Sequence, residues 1–297
     1  MWKWIGGAAV CCGLAGLIRS EYEKCHFSIE HFQIASEKIK TEKKIVFLSD
    51  LHSQEFGKDN VELLSAIDRI RPDMIFIGGD MMVTRRGKEG EARQSDIEAR
   101  KQIRVAVRLM LRLARNYPVY YGNGNHEQRL EWERERYGRQ YQTYYETLKD
   151  GGVIWLSNQN IAIDEELAVG GFNIPKKYYQ RFVSEGLTGR EIEKRLGRAD
   201  RNRYQILLAH SPLYMDAYRE WGADLTLAGH FHGGTIRLPL LGGVMTPQYQ
   251  FFYPRCAGNF EEKGKRMIVS RGLGTHSIRI RFNNKPQVAV VCLKKKV

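Results

Sequence analysis

Five short, β-prone apolar runs in this chain each end in side chains that bind cations. Residues 44–49 (KIVFLS) lead into Asp50 and His52, and residues 74–79 (MIFIGG) into Asp80. Residues 119–124 (VYYGNG) lead into Asn125, His126 and Glu127, residues 206–209 (ILLA) into His210, and residues 225–229 (LTLAG) into His230 and His232. Five of the eight histidines fall at these junctions. Open α/β sheets assemble their sites from the carboxyl ends of several strands. The pattern therefore points to one metal centre fed by five strands.

The donor set fixes the chemistry to expect. In an extended chain Asp50 and His52, two positions apart, face one side and can share a cation. Asp80 follows two glycines, which let backbones approach closely. Its two oxygens can bridge a pair of cations about 4 Å apart, the spacing that two-metal hydrolysis requires. Asn125 adds a neutral amide oxygen, His210 and His230 add imidazoles, and His232 repeats the two-residue spacing. Mixed nitrogen and oxygen donors without thiolate suit two divalent ions drawn from Mn, Fe, Zn or Co. A hydroxide bridging such a pair is a nucleophile near neutral pH, so the set points to a two-metal hydrolase.

Taken singly, each residue has a plainer reading: Asp50 as a helix cap, Asn125 as a turn residue, His210 as a core histidine. The set outweighs these readings, because every member follows an apolar strand. No Walker-type glycine-rich lysine loop occurs, which disfavours ATP-driven work.

The elements that must position the ligands alternate in type. Residues 59–71 place Leu63, Ile67 and Ile70 on one helical face and stop before Pro72. Residues 84–94 read as an exposed loop, and Ser95 to Glu98 as a capping box. That box opens a helix with Ile103, Val107, Met110 and Ala114 inward, closing at Pro118. Strand and helix alternating at this spacing imply βαβ units. Residues 26–35 predict an edge strand, and the last third reads as strand at 234–240, 266–270, 277–282 and 287–293. The expected fold is α/β, two packed mixed β-sheets flanked by helices, in one domain over residues 20–297.

The five blocks, Asp50-x-His52, Gly78-Gly79-Asp80, residues 124–127 (GNHE), the isolated His210 and residues 229–234 (GHFHGG), resemble in content and order those of the calcineurin-like metallophosphoesterase family. The resemblance covers about residues 44–234 and implies a four-layer α/β-β/α sandwich. It also implies one metal on Asp50, His52, Asp80 and His232, and a second on Asp80, Asn125, His210 and His230. His126 is implied as a contact to the substrate phosphate and as proton donor to the leaving oxygen, with Asp80 the other residue central to catalysis. Glu127 stands where Asp is commoner, and its longer carboxylate is expected to orient His126. Residues 53–57 and 270–282 further resemble a membrane-associated bacterial subgroup, whose members often carry a short amino-terminal membrane segment or export signal.

Composition bears on the partner. The chain is 42% hydrophobic and 27% charged, ordinary for a globular protein, with a net charge of +13 that favours anionic ligands. Five scattered cysteines without a CxxC pair leave no disulfide framework or zinc finger to expect. Two segments interrupt the motif spacing and could border the site as lids, residues 128–149 and a basic insert at 175–203. In the insert, Lys176, Lys177 and Arg181 would suit an anionic headgroup, with Tyr178, Tyr179 and Phe182 as interfacial aromatics. Its plainer reading is a solvated helix packed through Phe182, Val183, Ile192 and Leu196. No nucleic-acid fold signature accompanies it, so nucleic acid is not the expected partner.

Residues 5–18 carry no charge and follow Trp2 and Trp4. Such a run is shorter than the roughly 20 residues of a full span. With interfacial tryptophans it predicts a short membrane anchor over residues 1–19, in preference to a cleaved signal. The basic bias at Lys3 favours the amino end inside and an extracytoplasmic catalytic domain, and the subgroup resemblance implies a bacterial-type, membrane-associated protein. The function expected is a membrane-associated, metal-dependent phosphoesterase acting on a phosphorylated small-molecule or lipid-linked substrate. The alternatives are a pyrophosphohydrolase of a nucleotide-sugar lipid precursor and, from another class, a catalytically silent metal-binding scaffold.

Overall fold

A computed structural model describes residues 2–84, 92–180, 186–275 and 279–296, the side chains of 2–12 and 92–101 excepted. The chain begins with α1 (Trp2–Cys25), β1 (Ser28–Ser36), β2 (Lys43–Leu48), α2 (Val61–Ile70) and β3 (Met74–Ile77). It continues with α3 (Ala92–Ala114), β4 (Val119–Gly122), α4 (Asn125–Trp132), α5 (Arg134–Tyr137) and α6 (Gln140–Asp150). Next come β5 (Ile154–Leu156), β6 (Gln159–Ala162), β7 (Leu167–Phe172), α7 (Gly189–Leu196), β8 (Tyr204–Ala209), α8 (Met215–Trp221) and β9 (Leu225–Ala228). The last strands are β10 (Arg237–Leu238), β11 (Gly242–Gly243), β12 (Gly258–Glu262), β13 (Lys265–Val269) and β14 (Gln287–Lys295).

Two six-stranded sheets result, in the orders β1-β14-β2-β3-β4-β5 and β12-β13-β9-β8-β7-β6. In the first, β2 to β5 are parallel and β14 runs against β2. In the second, β7, β8, β9 and β13 are parallel, with antiparallel β6 and β12 at the edges. The central parallel strands are buried on both faces, which is why they read as unbroken apolar runs.

The period of two in each strand sorts its side chains between layers. Val46, Leu48, Ile75, Ile77 and Tyr121 pack outward against helical residues such as Leu63, Ile67, Met110 and Tyr144. Their neighbours Ile45, Phe47, Phe76 and Tyr120 meet Val169, Ile206, Leu208 and Leu227 of the second sheet. On its far face, Leu207 and Ala209 pack with Ile192 and Leu196 of α7 and with Tyr218 and Trp221 of α8. The layers are therefore helix, sheet, sheet, helix, as expected, with β1 at a sheet edge.

Several local expectations need correction. α3 begins at Ala92, ahead of the expected start at Ser95, and the capping-box side chains and most of the 84–94 loop lie outside the described residues. The strand expected at 234–240 is reduced to the pairing of Arg237–Leu238 with Gly242–Gly243. Of the strand expected at 277–282, residues 276–278 lie outside the described part, and Phe282 makes only an isolated bridge to Ile236. Burial of Arg281, described below, takes precedence over strand pairing there.

The amino terminus is the largest correction. Among the described residues, no helix is long and apolar enough to cross a membrane. That finding overturns the anchor expected over residues 1–19, and the membrane-associated, extracytoplasmic localisation with it. The uncharged run continues in one helix into Arg19, Glu21, Glu23 and Lys24, and the end of that helix docks on the domain. Ser20 Oγ accepts from Arg281 N (3.1 Å), and Glu23 Oε2 accepts from Asn284 N (2.8 Å), both side chains being buried.

Candidate metal centre

The five ligand-bearing loops follow β2, β3, β4, β8 and β9, at the crevice where the carboxyl ends of the two sheets meet. The first two loops run side by side: Asp50 N donates to Gly79 O (2.9 Å), His52 N to Asp80 O (3.1 Å) and Ser53 N to Met81 O (3.0 Å). Across the sheets, His230 N donates to Asp50 Oδ1 (3.0 Å). Gly79 has φ +86°, and a Cβ there would collide with the backbone of Gly124, so the close approach expected after β3 is real.

Asp50 and His52 do not share a face through extended spacing. Both lie beyond the strand with left-handed φ of 53° and 46°, as do Asp80 (54°), His230 (67°) and His232 (49°). For non-glycine residues each such conformation costs on the order of 1–3 kcal/mol, and clusters of them mark functional sites. The tight turns, rather than strand pleat, aim these side chains inward.

All seven expected ligands are brought together. Potential donor atoms of Asp50, His52 and His232 lie within 4.8 Å of one another, as do those of Asp80, His210 and His230. A third grouping, His52, Asp80 and His126, meets the same limit. The hydrogen bonds around the imidazoles fix their tautomers. A carbonyl can only accept, so the contact of His210 Nδ1 with Gly78 O (2.7 Å) places the hydrogen on Nδ1. Nε2 faces Asp80 Oδ2, 3.0 Å away, a contact that is favourable only with a proton or a cation between the two atoms. The same logic applies at His232, whose Nδ1 meets Gly274 O (3.2 Å) while its Nε2 faces His52 Nε2 at 3.0 Å. The Asn125 amide oxygen likewise faces acceptors, near Asp80 Oδ2 and His230 Nδ1. Lone pairs converging from buried carboxylates, imidazoles and an amide require positive charge among them. The donor set therefore fits divalent cations.

Electrostatics agree with this reading. Burial would lower the His210 pKa, but the Asp80 and Asp50 carboxylates outweigh it and raise it to about 10. Burial likewise works to raise the Asp80 carboxyl, yet His210 beside it holds it well below the ordinary range. At Asp50 burial wins and pushes the pKa up to about 6.

His126 differs from the other imidazoles. Its Nδ1 accepts the backbone N–H of Thr84 (2.8 Å), which leaves the hydrogen of the neutral ring on Nε2. Nε2 lies 3.9 Å from Asp80 Oδ2, within the cluster. The expectation that Glu127 orients His126 fails. Its carboxylate instead accepts from Asp80 N (2.8 Å), Met81 N (2.8 Å), Gly124 N (3.0 Å) and Tyr121 Oη (2.8 Å). Glu127 thus ties the Asp80 loop to the Asn125 loop. Burial, reinforced by Asp80, raises its pKa to about 7 against those four bonds.

Arg281 escaped the reading of the motifs. Its guanidinium is buried and donates to Asn284 O (3.0 Å), Arg271 O (2.9 Å), Gly272 O (3.2 Å) and Gly274 O (2.6 Å). Gly274 N in turn donates to Asp50 O (2.6 Å), so Arg281 braces the loop that supports Asp50 and His232. Burial lowers its pKa to about 9. The only local signal is an arginine alternating with isoleucines in residues 278–281, which reads equally as a strand.

The cluster forms the floor of a cavity of about 1120 Å³ whose lining includes Arg129, Trp132, Lys176, Tyr179 and Tyr249. Both interrupting segments border it. The interfacial role considered for Tyr178 and Tyr179 is corrected: Tyr178 is buried, and Tyr179 lines the cavity. Ile192 and Leu196 pack inward as expected, whereas Arg181, Phe182 and Val183 lie outside the described residues.

Comparison with known proteins places this geometry. The family model for calcineurin-like phosphoesterases matches residues 43–234, and the chain belongs to that family. It is a metal-dependent phosphoesterase. An uncharacterized metallophosphoesterase of Bacillus subtilis, YkuE, is 24% identical over 266 residues, covering 84% of this chain and 79% of the relative. The phosphodiesterase YaeI of Escherichia coli is 27% identical over 254 residues, covering 84% and 81%. The UDP-2,3-diacylglucosamine pyrophosphatase LpxG of Chlamydia trachomatis is 30% identical over 99 residues, covering only 30% and 29%. Among solved structures, the calcineurin-like phosphoesterase YfkN of Bacillus subtilis is 14% identical, covering 78% of this chain and 82% of that one, with a TM-score of 0.37.

Two predictions follow from the centre itself. Glu127→Gln sets an amide NH₂ against backbone donors and should cost at least about 3 kcal/mol, since bonds to charged acceptors are worth roughly 1.5–3 kcal/mol each. Urea unfolding of metal-free protein measures this, and an unchanged midpoint would deny Glu127 its bracing role. Metal uptake at pH 7 should release protons, because His210, with a pKa of about 10, carries a proton that a metal must displace. Affinity should therefore weaken about tenfold per unit as pH falls below 7. Calorimetry in buffers of different ionisation enthalpy would show no proton release if this is wrong.

Proposed function

We propose that this protein is a two-metal phosphodiesterase for a phosphorylated small molecule with organic groups on both sides of phosphorus. Asp50, His52, Asp80 and His232 hold one cation, and Asp80, Asn125, His210 and His230 hold the other. The observation that carries this reading is the convergence of ligand atoms at Asp80, which groups with His210 and His230 on one side and with His52 and His126 on the other. Bound divalent cations would supply a water-derived nucleophile near neutral pH and draw charge from the phosphoryl oxygens.

The chain's own residues do the rest. Asp80, on the joint between both ligand groups, is held in place by His126 N at Oδ1 (2.7 Å). His126 presents Nε2–H to the cavity and donates a hydrogen bond to a phosphoryl oxygen, which gains strength as charge develops there. With Nδ1 accepting from Thr84 N, His126 acts as a neutral donor, in place of the proton donor that the family resemblance implied. A leaving group that departs without a full proton transfer from this ring favours substrates with stabilised leaving groups.

The diester preference is supported by the cavity's size and mixed aromatic and basic lining, and by similarity to a relative named as a phosphodiesterase. Similarity to a pyrophosphatase over 99 residues favours a second reading, hydrolysis of a nucleotide-sugar pyrophosphate, whose lipid-linked form is the larger variant. Manganese is the first metal to test, before Fe, Zn and Co.

The test is hydrolysis by metal-stripped protein with single metals restored. A bis-aryl phosphodiester should be cleaved at least about tenfold faster than the matching monoester, and Asp80→Asn should lower activity by at least about a hundredfold. Turnover of a uridine diphosphosugar without diester cleavage would select the second reading. Activity surviving chelation would overturn both.

A further inference from the structure

The segment at 175–203 is anchored so as to deliver one side chain into the metal centre. Residues Lys176–Tyr179 form a single tight turn. Tyr178 pins that turn from two sides: its Oη donates to Glu191 Oε2 (2.6 Å), and its carbonyl accepts from Tyr214 Oη (2.6 Å). The next side chain, Tyr179, lines the cavity over the metal centre. Its ring meets His230 edge-on with centroids 5.3 Å apart and lies 6.4 Å from that of His210. Trp132 flanks it at 6.1 Å.

Among the described residues, buried Tyr179 Oη has no hydrogen-bond partner. A buried phenol ordinarily finds one, and nearby Tyr214 and Tyr218 have theirs in Tyr178 O and Ser211 O. A phenol is ordinarily un-ionised at neutral pH. The group is therefore a donor, poised beside the His210–His230 side of the centre.

Resting on the phosphodiesterase reading, we infer that Tyr179 is a substrate-binding residue whose Oη–H donates to a phosphoryl oxygen on the His210–His230 side. His126 Nε2–H donates to another. Two neutral donors around a cationic floor select a tetrahedral oxyanion by shape as well as charge. Removing one such donor typically lowers turnover by about a hundredfold or more where it is the main one, so a share of the work predicts a loss of about tenfold to a hundredfold.

The test compares full-length wild type and Tyr179→Phe, each loaded with manganese. Calorimetry with inorganic phosphate reads binding without turnover, and diester hydrolysis reads kcat/KM. The variant should keep its metal equivalents, bind phosphate about tenfold more weakly, and lose kcat/KM in the range above. Because it removes an unpartnered buried hydroxyl, its metal-free melting temperature should hold or rise. Phosphate binding and kcat/KM within twofold of wild type would overturn the inference. So would a lost metal equivalent or a melting temperature several degrees lower, since either makes the phenol structural. A wild type that neither binds phosphate nor turns over would fell the parent reading, and that failure shows before any variant is made.

Discussion

The crowding of buried ligand atoms is the constraint on which the rest of this structure depends. Two buried aspartates, four imidazoles and an amide are aimed at one another from five loops, and in a low-dielectric interior that convergence needs protons or cations between them. The fold has to hold it regardless. Backbone N–H groups are spent on the carboxylates, His230 N on Asp50 and His126 N on Asp80. Glu127 then ties the Asp80 and Asn125 loops, and Arg281 braces the loop beneath Asp50 and His232. Five left-handed ligands add backbone strain. That strain is offset by the cores on either face of the two sheets, where the central strands are wholly buried.

The ligands were legible because each directly follows an apolar run, and because a strand that is buried on both faces announces its own end. The layer order was legible for the same reason. What the sequence concealed depends on contacts between distant residues. Thr84 sits 42 positions before the imidazole it fixes, and it does so through a backbone N–H that any residue but proline would offer. Arg281 looks like one more position in an alternating strand until four carbonyls are found around it. Glu127 was visible as a residue but not as a brace, since its partners are backbone groups of loops whose proximity the sheet alone creates.

The amino-terminal segment was misread for a related reason. Hydropathy along a short run weighs only its own residues, and the run of 5–18 is apolar enough to suggest an interface. The helix that holds it is not long and apolar enough to cross a membrane, and at its far end Ser20 and Glu23 dock onto residues 281–284, more than 250 positions away. The same residues 281–284 that receive this helix also carry Arg281 and Asn284, and Asn284 donates to His232 O (2.7 Å). The helix is therefore continuous, through one short segment, with the support of the metal centre.

Neutral donors and cationic floor divide the work in a way that bears on selectivity. A site whose positive charge resides wholly in metals would attract any anion, including sulfate or a carboxylate. On the proposed reading His126 and Tyr179 would narrow that choice, because their hydrogens point from fixed directions. Thr84 fixes the first direction through a backbone bond, and Tyr178, pinned between Glu191 and Tyr214, fixes the second. Both depend on residues outside the recognised blocks. On the proposed reading, the donor from a recognised block is thus aimed by a residue outside the blocks, and the other donor comes from a segment that interrupts the motif spacing.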